Sequence, residues 1–113
     1  MENKKEFSQK PQERERKIQE IQMMEQNLQN LLLQKQAFQM ELSETKAARR
    51  EIEKAGDDVF KIIGQLMIKS DKSQVKDELS NKEKLLELRL KSIEKQEIGL
   101  IEKIDSLRKD VLG

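Results

Sequence analysis

The sequence has no cysteine, histidine, tryptophan or tyrosine, and its only aromatic residues are three phenylalanines. Without cysteine there is no disulfide framework, thiolate nucleophile or thiol metal ligand, and nothing points to an oxidising compartment. Without histidine the commonest general base and metal ligand is missing. No GxGxxG, P-loop or nucleophile elbow occurs. Ser43 and Lys46 have SxxK spacing, but they lack the companion motifs that would give that spacing chemical meaning. An excess of one charge is missing too: 23 basic residues face 22 acidic ones, interspersed along the chain, whereas a nucleic-acid footprint needs a one-signed patch. The densest basic cluster, Lys46, Arg49 and Arg50, lies beside Glu44, Glu51 and Glu53 and reads as a solvated helix face in preference to a phosphate site. No apolar run approaches the roughly 18 residues needed to cross a bilayer, and Met1 to Lys10 has no apolar core of a targeting signal. The expectation is a cytoplasmic protein that is not an enzyme, uses no cofactor or metal, and binds neither nucleic acid nor membrane.

Of the 113 residues, 35% are hydrophobic and 40% charged, too little apolar material for a round core of this length. An elongated helix pair remains, since it needs only a narrow apolar seam. Residues 1–12, with the only proline, Pro11, and a lone Phe7, read as a flexible tail. From 13 to 55, Ile21, Leu28 and Leu42 recur at one heptad position and Met24, Leu31, Phe38 and Ile52 at another, which are coiled-coil a and d sites. Lys35, Thr45 and Arg49 interrupt this seam, and Leu32 and Leu33 widen the stripe beside it. At 1.5 Å per residue the helix would span roughly 60 Å. Gly56 follows, placed to end it in the left-handed conformation. A second helix covers 73–112 after a capping box of Asp71 and Gln74. Its seam repeats Leu79, Leu86, Ile93, Leu100 and Leu107, with Leu90, Ile104 and Val111 as companions and Glu83 and Glu97 as polar exceptions. Gly99 sits off that seam. Folding the helices back on each other sets Leu42 opposite Leu86 to Ile93 and Leu28 opposite Leu100 to Leu107. It also brings Lys35 toward Glu97 and Arg49 toward Glu83, pairs that would penalise wrong registers.

Residues 56–72 change character. Val59-Phe60-Lys61-Ile62-Ile63, then Gly64-Gln65, then Leu66-Met67-Ile68-Lys69, read as a β-hairpin with a two-residue type II′ turn. The plainer alternative is an apolar helix-to-helix connection. A two-stranded hairpin is marginal alone, and both of its faces and edges would be apolar or unpaired. The arms bury their seams against each other, so other subunits must cover it. Hairpins pairing edge to edge into an intersubunit β-barrel would hide Val59, Phe60, Ile62, Ile63, Leu66, Met67 and Ile68. The expected fold is therefore mainly α: an antiparallel coiled-coil helical hairpin, with a short β-hairpin between the helices that joins subunits.

A first helix ending Glu-Lys-Ala-Gly-Asp-Asp, the hairpin Val-Phe-Lys-Ile-Ile-Gly-Gln-Leu-Met-Ile, and a second helix with Leu-Glu-Leu-Arg-Leu-Lys-Ser-Ile-Glu-Lys-Gln-Glu resemble the archaeal-type β class of the prefoldin family over about residues 18 to 111. The single hairpin fits the β class. The resemblance implies an ATP-independent holdase chaperone, a hexamer of two α-type and four β-type subunits with coiled coils hanging from a double β-barrel. Non-native client proteins would be held at the coiled-coil tips and passed to a group II chaperonin. By location, the client-binding tip comprises Ile18, Ile21, Met23, Met24 and Leu28 on the first arm and Leu107, Val111 and Leu112 on the second. Independently of the resemblance, residues 1 to about 18 extend past Gly113 and leave the last seam turns without a full partner. Met23 and Met24 are flexible side chains suited to varied apolar targets. Ordinary seam packing with frayed ends is the alternative for any one of these residues. A structural coiled-coil scaffold or adaptor with a folded partner is the rival function, and it needs a seam covered to its end.

Overall fold

The computed structural model describes residues 10–113, so residues 1–9 of the expected tail, Phe7 included, lie outside the described residues. Helix α1 runs Pro11–Lys54, strand β1 Val59–Ile63, strand β2 Leu66–Ser70 and helix α2 Lys72–Leu112. Pro11 and Gln12, assigned above to the tail, are thus the first residues of α1. Proline suits that position, because its fixed φ is helical and the amide hydrogen it lacks would have no partner in the first turn. Lys10 caps the helix, its carbonyl accepting from Arg14 N–H at 3.0 Å.

The other end of α1 closes differently from expectation. Gly56 does not adopt the left-handed conformation; among the described residues Gly64 alone has a positive φ. The ammonium of Lys72 donates to the Ala55 carbonyl at 2.7 Å, so a side chain from α2 satisfies a group that a left-handed glycine cap would otherwise serve. At the start of α2, the Asp71 carboxylate accepts from Ser73 N–H at 3.3 Å, one residue earlier than the expected bond to Gln74, while the Asp71 carbonyl accepts from Val75 N–H at 3.0 Å.

The strands pair antiparallel with Val59 opposite Ser70, Lys61 opposite Ile68 and Ile63 opposite Leu66. Gly64, φ 60°, and Gln65 make the turn. A positive φ at the first central residue only is the requirement of type II′.

The chain divides into two compact units, residues 35–91 and residues 10–34 with 92–113. In the first, Ile52, Val59, Leu86 and Leu90 are buried together with Thr45. Thr45 interrupts the apolar seam without an unmet hydroxyl, because its Oγ1 donates to the Glu41 carbonyl at 2.7 Å. Around this core Arg49 reaches Glu83 at 2.5 Å, Lys76 reaches Glu53 at 2.9 Å and Lys82 reaches Glu41 at 3.1 Å. From Arg49–Glu83 to Glu53–Lys76 the numbers rise in α1 and fall in α2, so the helices are antiparallel, and the expected Arg49–Glu83 pair forms. Its hydrogen bond and charge hold the Arg49 guanidinium above its ordinary pKa, as Lys76 holds Glu53 below the usual carboxylate range. Exposed pairs of this kind select register more than they stabilise.

The second unit repeats the pattern. Ile21, Ile93 and Ile104 are buried, Arg108 pairs with Glu25 at 2.9 Å and Lys17 with Asp110 at 4.0 Å. Leu28 and Ile104 line one groove, as the antiparallel reading requires. Leu33, expected to widen the stripe beside the seam, is exposed, as is Leu32 to a lesser degree. The inward positions from Ile21 to Phe38 alternate three- and four-residue steps, and Leu33 falls on the outer face.

Among the described residues Leu86 is the most deeply buried apolar one, 2% exposed. Leu86→Ala is expected to cost about 2–5 kcal/mol, because the surrounding helix backbones cannot close the cavity. Urea unfolding followed by circular dichroism measures this, and a loss below about 1 kcal/mol would show that the seam relaxes around the site.

Candidate assembly and client-binding surfaces

Alternation along a strand places Val59, Lys61 and Ile63 on one face of the hairpin, with their partners Ser70, Ile68 and Leu66 beside them. Phe60 and Ile62, with Lys69 and Met67, form the other face. The first face is anchored: Val59 is buried, and the Lys61 ammonium meets the Glu78 carboxylate of α2 at 2.5 Å. The remaining apolar side chains are open. Phe60, Ile63, Leu66 and Ile68 are exposed, Ile62 to 73% and Met67 to 67%. Val59, grouped above with the residues that need a second subunit, is therefore covered by its own chain, because it sits at the strand end next to the helices. The other six are not.

In the unit that holds the start of α1 and the end of α2, the eight residues named for the tip separate into two sets. Ile21 is buried, and Met24, Leu28, Leu107 and Val111 are half-buried in the seam. Met23 and Leu112 are open, at 68% and 83%, and Ile18 is exposed to 39%. Residues 11–16 are all exposed, so the seam begins at Lys17 and Asp110. Only Ile18, Met23 and Leu112 offer a surface without first opening the helix pair.

The basic cluster at Lys46, Arg49 and Arg50 lines a groove whose other walls are Glu53 and Glu83. Arg49 is already committed to Glu83, which supports the solvated-face reading over a phosphate site. A larger groove, about 530 Å³, lies between Asn27, Asn30, Leu31 and Gln34 of α1 and Gln96, Gly99, Leu100 and Lys103 of α2. Heptad periodicity does not mark it, because its amide residues lie beside the apolar seam.

Among the described residues no helix is long and apolar enough to cross a membrane. A family model described as prefoldin subunit matches residues 2–112. The chain belongs to the prefoldin family. It is 42% identical over 80 residues to the prefoldin subunit beta of Thermococcus onnurineus (strain NA1), covering 69% of each chain. To the prefoldin subunit beta of Sulfurisphaera tokodaii it is 34% identical over 103 residues, 89% of this chain and 82% of that one. Its structure matches the crystal structure of the prefoldin beta subunit from Thermococcus strain KS-1 with a TM-score of 0.79 at 38% identity, covering 90% of both. Two long helices flanking a short antiparallel hairpin are the fold of the prefoldin β subunit, and the family is one of chaperone subunits.

Proposed function

We propose that this prefoldin-family chain is the β-class subunit of an ATP-independent holdase. Its hairpin joins α-class and further β-class subunits, as two α and four β, through an intersubunit β-barrel. The observation that carries this reading is the uncovered hairpin: Phe60, Ile62, Ile63, Leu66, Met67 and Ile68 stand in water in the single chain, an aggregation hazard unless partners cover them.

Client binding follows from the second open apolar group, Ile18, Met23 and Leu112. Methionine adapts to targets of different shape, and several weak sites linked in one assembly raise effective concentration without strong individual contacts. Held clients would pass to a group II chaperonin in the cytoplasm. Suppression of aggregation of a chemically denatured test protein, followed by light scattering with the α-class partner present, tests the proposal. Suppression at stoichiometric amounts is expected without nucleotide. Unimpeded aggregation would leave a scaffold subunit as the better reading.

A further inference from the structure

The groove around Gly99 is unusual in its chemistry. The chain is 40% charged, yet between Ile21 and Gln34 the single charged residue is Glu25, while Gln22, Gln26, Asn27, Gln29, Asn30 and Gln34 are amides. Three of those amides, Asn27, Asn30 and Gln34, line the groove, with Gln96 across from them and Leu31 and Leu100 half-buried between. Among the described residues the side chains of Asn27, Asn30 and Gln34 make no hydrogen bond within the chain. Lys103 is the one charge in the lining.

Gly99 adds a second, independent observation. Glycine inside a helix weakens it relative to alanine, and close packing is the usual compensation. Here a Cβ would meet nothing within 4 Å. The packing of this chain does not require glycine; what its absent side chain preserves is open space beside the helix backbone.

We propose that this groove holds an extended, uncharged stretch of non-native polypeptide. A primary amide offers both a donor and an acceptor, the same pair a peptide group presents. A row of them can pair with backbone groups whatever the side chains of the bound segment. Leu31 and Leu100 give an apolar floor for one of those side chains, and Gly99 lets the segment approach. Asn27 to Gln34 spans about 10 Å of helix, which matches roughly three extended residues. Unfolded chains expose such unpaired backbone; folded ones do not. The inference rests on the holdase reading and adds to it a site that recognises backbone, separate from the apolar tip residues.

The test uses the full chain with its α-class partner and a dye-labelled hexapeptide of alternating serine and leucine, blocked at both ends, with binding read by fluorescence anisotropy. Gly99→Leu fills the groove from a position with free space and is expected to weaken binding about tenfold while raising the melting temperature, leucine being the better helix former. Asn30→Ala with Gln34→Ala, both exposed and without side-chain hydrogen bonds among the described residues, is expected to weaken it by a similar factor. Lys103→Gln is expected to change nothing. Equal binding by wild type and Gly99→Leu, or a loss confined to Lys103→Gln, overturns the proposal, as does a wild type that does not bind the peptide. Aggregation suppression by the wild type is measured beside it: if that fails, the holdase reading falls; if it holds while Gly99→Leu binds normally, only the groove assignment falls.

Discussion

Changing Ile62 and Met67 together to aspartate is expected to turn an assembled protein into separate chains whose helices remain folded. The two residues are direct cross-strand partners and stand mostly in solvent in the single chain, so the substitutions leave the helix seam untouched and cost the hairpin only their mutual contact and the repulsion of two facing carboxylates. In an assembly that pairs hairpins they become interior. Each apolar side chain taken out of water contributes about 1.5–3 kcal/mol, and a carboxylate forced into the same place costs several more. The two changes together are expected to weaken association by at least about 10³-fold. Sedimentation velocity reads the assembly state and circular dichroism the helix content. An assembly of unchanged size would show that the hairpin faces are not the contact.

Client holding is expected to weaken when Ile18, Met23 and Leu112 are changed together to serine, with assembly and melting temperature preserved. These three are the tip residues that the seam leaves open. Substituting Ile21 or Leu107 would mix loss of binding with loss of packing, since both contribute to the seam. A modest loss at each tip is multiplied in an assembly with several of them, so the amount needed to suppress aggregation of a denatured protein is expected to rise roughly tenfold. Light scattering against protein concentration measures this, and an unchanged requirement would move client binding elsewhere on the chain.

Much of this was legible in the residues. The heptads of α1 and α2 specify which side chains face inward, and the inward positions run from Lys17 to Ile52 and from Val75 to Val111. Turn chemistry was legible because the positive φ of Gly64 strongly favours glycine at the first turn position. Arg49 and Glu83 declared the antiparallel register as polar breaks of opposite sign. Two of the misses share a cause: side chains from another element decided the local geometry. Lys72 reaches back to the Ala55 carbonyl that a left-handed Gly56 would have served, and Val59, at the strand end next to the helices, is already buried in the single chain. Leu33 shows the limit of composition, since an apolar residue next to a seam need not be in it. Ile21, Met24 and Leu28 were grouped with Met23 as one apolar tip, but periodicity separates them: the first three hold the helices together and Met23 points away.

The central claim is that the uncovered hairpin makes this chain a subunit. Native mass spectrometry of the chain alone, and after mixing with an α-class prefoldin subunit, tests it most directly. A hetero-oligomer of two α and four β chains is expected on mixing. A monomer in both samples would contradict it.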